Sequence, residues 1–593
     1  MSNSRVLIAA LAVIASVEFV FARPNFLFVL TDDQDTHMES LKYMPQVQEH
    51  LISKGATFNK HYCTVAVCCP SRANIWTGQL SHNTNITNVQ LPWGGYSKFI
   101  QGGYNDKHLA LWLNQAGYST YYAGKLFNGH TIKNYDNPHM SGYNDSAFFL
   151  EPYTYQYFNV SYSRNGQKPT NPEGKYSTDL LSNLTRGFID DALDNSNNPF
   201  FITVAPVAPH GWLTEWQTNA SFGPPLPAPR HKGLFKDYKI PRTENFNPEE
   251  ASSVNWISKL ERLNDTVIEY NDEFQRLRLR SLAAVDDMVG DVVRKLEEKG
   301  VLDNTYFIYS SDNGFHISQH RMHPGKMCGL ETDINVPMII RGPGIEAGST
   351  RSIPSSHTDL APTLLQLAGE SIGNKELDGA PMDLGLPSAN YSAPARTEHV
   401  AVEFWGPGLG ESKFAKPKHY KNNTYKGLRL ESDAYGFYYS VWCNNARELY
   451  NMKNDSGQLN NLLSSSSEDG NKFTLFDQNV DVISNRLDAL LMVLKSCKED
   501  SCRDPWRSLH PDGKVSNLSD ALRAEFDSFY KDQPKIAFDY CANGLLMSAE
   551  GPQNYTAFGA DAKDGSDGEQ KRFMIDGRLV WTTVLVLIAI YVI

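Results

Sequence analysis

The run Asn25-Phe26-Leu27-Phe28-Val29-Leu30, closed by Thr31-Asp32-Asp33, decides the fold. A stretch of apolar residues with no polar alternation is the pattern of a strand buried on both faces, as in a parallel sheet covered by helices. The pattern returns at residues 118–123, 199–204, 306–309 and 336–340. Helical periodicity occupies residues 109–116 and 279–299, the second ending at Gly300. Strands alternating with helices predict an α/β domain with a mostly parallel sheet. In such sheets ligands gather beyond the carboxyl ends of the strands. Asp32 and Asp33 fall at one such end, and Asp312-Asn313-Gly314 falls at another.

The chemistry centres on Cys68-Cys69-Pro70-Ser71-Arg72, followed by Ala73-Asn74-Ile75-Trp76-Thr77-Gly78. Proline in the first turn of a helix is preorganised and loses no useful donor. A residue just ahead of it sits where free backbone N–H groups and the helix dipole attract an anion. Arg72 lies about one helical turn after Cys68 and can reach back to the same end. The whole run resembles the Cys-x-Pro-Ser-Arg signature of the sulfatase family, with its closing Thr-Gly. The resemblance implies that Cys68 is oxidised during secretion to formylglycine, whose hydrate is the nucleophile.

Pieces of the same pattern recur from residue 24 to about residue 460, so the resemblance covers most of the chain. Asp32-Asp33 matches the family's first metal pair and Asp312-Asn313 its second; with the modified Cys68 these are the implied metal ligands. Their hard oxygens suit calcium, or magnesium. Lys125 in Ala123-Gly124-Lys125, His210 in Ala208-Pro209-His210 and Lys326 ahead of Glu331 match the family's remaining catalytic positions. Together with Arg72 they supply the local positive charge that binding a sulfate group demands. One position departs from the family. Many sulfatases carry histidine two residues after the first lysine, where this chain has Phe127. Asn128, His130 and His316 are the candidates for the vacated role, with His316 ranked first because it closely follows Asp312-Asn313-Gly314. The segment from His357 to Thr363 also resembles the family and reads as structural, a loop entering a helix.

The implied fold is alkaline-phosphatase-like, a mixed and mostly parallel sheet flanked by helices, with a smaller C-terminal α+β domain. The implied function is sulfuric ester hydrolysis of the arylsulfatase or N-acetylglucosamine-6-sulfatase type, through covalent attack on sulfur. Lys326 and His210 would contact the sulfate and the leaving oxygen. The rival readings are a phosphate or phosphonate ester hydrolase of the same superfamily, and a glycoprotein that binds sulfated glycans without turnover.

At 593 residues and a formal net charge of −12, the chain suits two or more domains and lacks the basic footprint of a nucleic-acid partner. Residues 425–430 and 435–442 read as paired, aromatic-rich strands, with a helix over 482–495. The expected organisation is a signal peptide at 1–22, a catalytic domain at 23–375, an antiparallel-sheet subdomain at 376–545, a disordered tail at 546–578 and an apolar C-terminal segment at 579–593. Arg5 followed by the apolar residues 6–17 and Val20-Phe21-Ala22 has the order of a secretory leader. Eleven Asn-x-Ser/Thr sequons, among them Asn85, Asn144, Asn159, Asn264, Asn390 and Asn517, fit a glycosylated protein. Small residues near Ser566, a polar spacer and the final apolar stretch match the signal for a glycosylphosphatidylinositol anchor. A secreted protein of this kind would meet the formylglycine-generating enzyme on its way out. Of the eight cysteines, Cys497 and Cys502 are the best disulfide candidates, and no pair of CxxC units suggests a thiolate metal cluster.

Overall fold

The computed structural model describes residues 23–194, 198–213, 222–387, 391, 398–465 and 467–559, without the side chains of Glu468 and Asn471. The expected leader, residues 560–578 of the expected disordered tail and the apolar C-terminal segment lie outside the described residues.

Nine strands form the central sheet, in the order Ser349–Arg351, Ala56–Phe58, Met338–Arg341, Thr305–Ser311, Asn25–Thr31, Phe200–Ala205, Ser119–Gly124, Asp145–Phe149 and Tyr162–Arg164. The five from Thr305–Ser311 to Asp145–Phe149 are mutually parallel. Met338–Arg341 and Tyr162–Arg164 join antiparallel at either side of this block. The opening run sits in the middle, paired with Thr305–Ser311 from Asn25↔Thr305 to Thr31↔Ser311. Its residues alternate between two cores: Phe26, Phe28 and Leu30 face one layer, Leu27 and Val29 the other. Both faces being buried explains why the sequence shows no polar alternation.

Helices Cys68–Thr77, Leu109–Gln115 and Leu360–Leu367 pack on the first face; Ser177–Asp194 and Asp265–Glu298 cover the second. The long helix begins at residue 265 rather than 279. Its early turns bury polar groups, so the apolar period is hidden there. Asn271 Nδ2 donates to Ser318 Oγ at 2.9 Å, Asp272 accepts from the Ile240 N–H at 3.0 Å, and Arg278 is fully buried. Asn264 caps the helix by accepting from the Val267 N–H at 3.1 Å.

A four-stranded antiparallel sheet, His399–Phe404, Tyr425–Glu431, Gly436–Trp442 and Arg447–Asn451, forms the second region, and helix Val480–Leu494 packs on it. Two disulfides, Cys497–Cys502 and Cys443–Cys541, lie in this half, while Cys63, Cys68, Cys69 and Cys328 are free and buried. Among the described residues no helix is long and apolar enough to cross a membrane.

The two regions are joined by a buried ion pair. His82 Nδ1 lies 2.9 Å from Glu403 Oε2, and Lys426 Nζ donates to the same oxygen at 2.9 Å. Burial opposes both charges, yet His82 and Lys426 hold Glu403 down at about 2, and Glu403 raises His82 above its usual 6.5. A depressed carboxylate stabilises above its unfolded value of 4.5 and loses that contribution as pH falls towards the folded value. A raised histidine stabilises below 6.5 and loses its contribution as pH rises through the folded value. Both contributions are therefore complete only between these limits. His82→Ala is expected to cost about 3 kcal/mol near pH 6, and less in alkaline solution. Unfolding midpoints of the two proteins across pH check this; a gap that widens above pH 8 would reverse the sign.

Candidate active site

Four adjacent parallel strands deliver the site at their carboxyl ends. Asn25–Thr31 leads into Asp32-Asp33, Thr305–Ser311 into Asp312-Asn313, Ser119–Gly124 into Lys125, and the chain beyond Phe200–Ala205 into His210. The strand ends are stitched together by Asp312 N–H donating to Thr31 O at 3.1 Å and Asp32 N–H to Ala208 O at 3.3 Å. Asp33 turns the chain with φ of 68°, a left-handed conformation that aspartate tolerates better than most residues.

Cys68 is the first residue of its helix, which stops at Gly78 with φ of 68°; a Cβ there would lie 2.5 Å from Leu377. The thiol points at Asp32 Oδ1, 3.3 Å away, and Lys326 Nζ donates to the same sulfur at 3.2 Å. Lys326 also donates to Asp33 Oδ1. Lys125 Nζ donates to Asp32 Oδ2 at 2.6 Å, and Arg72 Nε to Asp312 Oδ2 at 2.8 Å. His210 Nε2 lies 3.6 Å from Asp33 Oδ2. Asn313 Nδ2 donates to Asp33 Oδ1 at 2.7 Å. All these side chains are buried.

The electrostatics follow from this packing. Burial opposes ionisation of Asp32, but Lys125, His210 and Arg72 outweigh it and hold the carboxyl at about 2. Asp33 is likewise lowered against burial, chiefly by Lys326 and His210. Burial and the Asp32 charge push the Cys68 thiol well up, so the unmodified sulfur is a protonated, poor nucleophile.

Asp32, Asp33, Cys68 and His210 present ligand atoms within 4.8 Å of one another. Asp33 Oδ2 and Asn313 Oδ1 are buried with no hydrogen-bond partner. Two orphaned oxygens beside two further carboxylates fit a hard divalent cation, which would satisfy them.

Nine of the ten sequence-derived residues thus converge. The ring of His316 is instead held by Asp333, with Nδ1 2.8 Å from Oδ1, while its backbone pairs with Gly325 next to Lys326. Phe127 turns into the apolar core and packs on Phe99 with ring centroids 4.6 Å apart. His130 stacks on Tyr96, and burial lowers its pKa to about 3. Asn128 reaches the site indirectly, donating to Tyr155 Oη at 2.7 Å. Tyr155 in turn stacks on His210 at 4.4 Å and lies under Lys125 Nζ at 4.8 Å. His357, read as structural, bonds the Asp312 carbonyl through Nε2 at 3.0 Å and so braces the Asp312-Asn313 loop.

Three residues of the site carry no motif. Tyr155 is one. Arg278 clamps the Asp32-Asp33 turn by donating to Asp33 O at 2.6 Å, and its signal was a cation inside a helix's buried stripe. Glu411 is the third. It follows strand Gly408–Gly410, which pairs with Gly325–Lys326, and its N–H donates to Pro324 O at 2.7 Å.

Carboxylates for a hard cation, and Arg72, Lys125, Lys326 and His210 to receive an anion, arranged around one residue at a helix N-terminus, make this the site of a hydrolase for anionic esters. The chain belongs to the sulfatase family, whose profile matches residues 24–370. It is 38% identical to an arylsulfatase of Volvox carteri over 88% of this chain and 82% of that protein. It is 29% identical to an N-acetylglucosamine-6-sulfatase of Capra hircus, over 82% and 85% respectively. Its fold is similar to that of a solved structure in complex with its substrate D-glucosamine-2-N,6-O-disulfate, with a TM-score of 0.60 and 23% identity over 80% of this chain and 98% of that one.

Proposed function

We propose that this sulfatase-family hydrolase cleaves organic sulfate esters with a formylglycine made from Cys68 and one calcium-type cation. The observation that carries the reading is the placement of Cys68 between the ligand Asp32 and the cation Lys326, at 3.3 and 3.2 Å. The cation, held by Asp32, Asp33, Asp312 and Asn313, would neutralise sulfate oxygens, and the hydrated aldehyde would supply the nucleophilic oxygen.

The chain's own residues account for the rest. Arg72 fixes Asp312, and Lys125 fixes Asp32, so two of the four ligands are oriented before any substrate arrives. Lys326 and His210 flank Asp33 and face the leaving oxygen, where His210 can deliver a proton and Lys326 can stabilise the departing charge. His210 Nδ1 lies 2.8 Å from the Gly211 carbonyl and donates to it, so a proton given to the leaving oxygen must come from Nε2 of the doubly protonated ring. Tyr155, stacked on His210 and under Lys125, keeps both at their posts and excludes water from that side.

Turnover of para-nitrophenyl sulfate against para-nitrophenyl phosphate tests the reading. The sulfate is expected to be the better substrate by at least about 100-fold. A preference for the phosphate would move the chain to the rival phosphoryl reading.

Passage through the secretory pathway goes with this function. Two disulfides suit an oxidising compartment, and Asn85, Asn144, Asn159 and Asn264 are exposed sequon residues. Endoglycosidase treatment of the purified protein is expected to lower its apparent mass; an unchanged mass counts against this route.

A further inference from the structure

We propose that Glu411 is a specificity-determining residue that accepts a hydrogen bond from a hydroxyl of the leaving alcohol, so that the site prefers carbohydrate sulfates to aryl sulfates. The inference rests on the sulfate-ester reading above and names the class of alcohol that leaves.

Glu411 is 3% exposed, and its Oε2 has no hydrogen-bond partner. A buried carboxylate oxygen without a donor is costly, and native structures retain such atoms where something outside the fold completes them. The place of this one is defined by four neighbours. The strand pairing sets it beside Pro324, at the base of the Gly325–Lys326 strand that carries the leaving-group lysine. Lys326 and His210, the two groups that flank the leaving oxygen, are close enough to pull on its carboxylate. The fourth neighbour is Gly211, directly after His210: a Cβ built there would come 3.5 Å from Oε2, which sets that oxygen alongside the His210 turn. Burial pushes the Glu411 carboxyl up against the pull of Lys326 and His210. In either protonation state one oxygen remains an acceptor. It is not part of the cation's ligand set, and Lys326 spends its contacts on Asp33 and Cys68. An acceptor beside the departing oxygen has nothing to do for a phenol, which carries no other donor. A sugar alcohol brings several hydroxyls to the same spot. A site built to bond a substrate hydroxyl discriminates strongly against analogues that lack it, because the buried partner is then left unpaired.

The experiment compares kcat/KM for the regioisomeric monosulfates of glucose with that for para-nitrophenyl sulfate. The sugar-to-aryl ratio is expected to fall about 30-fold in Glu411→Ala and about 10-fold in Glu411→Gln, whose amide keeps a weaker acceptor. The change should fall mainly on KM for the sugar. Equal losses on both substrates would make Glu411 a structural residue and overturn the proposal, as would a wild-type protein that cleaves only the aryl ester. Binding separates this failure from failure of the sulfatase reading. Calorimetry on Cys68→Ala protein with calcium present should give weaker glucose monosulfate binding when Glu411→Ala is added, by a similar factor. Unchanged binding overturns the proposal whether or not the native protein turns over any sulfate ester.

Discussion

Cys68→Ala is expected to lower sulfate-ester turnover by about 10⁴-fold or more, the scale at which loss of a nucleophile leaves only binding and electrostatic assistance. The fold should survive. The side chain is buried, but alanine removes a single sulfur, and Asp32 retains Lys125 at 2.6 Å after the thiol is gone. Unfolding midpoint and cation content are the controls that separate a missing nucleophile from a collapsed site. Cys68→Ser is more informative still. A serine hydroxyl at this position could attack sulfur, but it has no second hydroxyl through which to expel sulfate. One equivalent of alcohol should be released, and turnover should then stop. Sustained turnover by either variant would sink the formylglycine reading, and a peptide mass over residues 68–72 of the native protein would show the modification directly.

How much of this was legible beforehand follows from how each residue reaches the site. Asp32, Asp33, Asp312, Asn313, Lys125 and His210 all follow strands of the central sheet, and buried parallel strands declare themselves by unbroken apolar runs. Their ends are therefore readable, and so are the polar residues placed just beyond them. Glu411 arrives differently. Its strand is Gly408–Gly410, too short and glycine-rich for periodicity, and only the fold brings that strand against Gly325–Lys326. It also comes from beyond residue 375, across the boundary that the sequence suggests. Tyr155 sits outside any strand or helix and acts through ring stacking, for which one aromatic among many gives no signal. The start of helix Asp265–Glu298 is masked because its inward face bonds through Asn271, Asp272, Gln275 and Arg278 rather than packing apolar groups. Cys497–Cys502 is local and could be anticipated, whereas Cys443–Cys541 closes a loop with a sequence separation of 98 that spacing does not specify.

Removal of the cation is expected to have the second large effect. Asp32, Asp33 and Asp312 are fully buried within one small volume, and Lys125, Lys326 and Arg72 compensate them. The compensation is incomplete in hydrogen-bonding terms, since Asp33 Oδ2 and Asn313 Oδ1 remain unpartnered. A cation bound here acts on the native state alone and stabilises it by about 2.7 kcal/mol at a free concentration one hundred times Kd. Exhaustive dialysis against a chelator should lower the unfolding midpoint by several degrees and reduce turnover by about 10³-fold, with calcium or magnesium restoring both. Elemental analysis should give one such ion per chain; two zinc ions per chain would favour the phosphatase rival. The sharpest variant is Asn313→Ala. Asp312→Ala would strand the buried Arg72 guanidinium and destabilise the protein for reasons unrelated to the metal. Asn313 carries no charge, and its Oδ1 has no partner within the protein, so its removal costs one neutral donor shared by Asp33 and the Gly314 carbonyl and one oxygen ligand. Calcium affinity should fall about 100-fold, while the protein treated with chelator unfolds within a few degrees of the native chain treated in the same way. An Asn313→Ala protein that binds calcium as tightly as the native chain would place the ion elsewhere and dissolve the ligand set argued above.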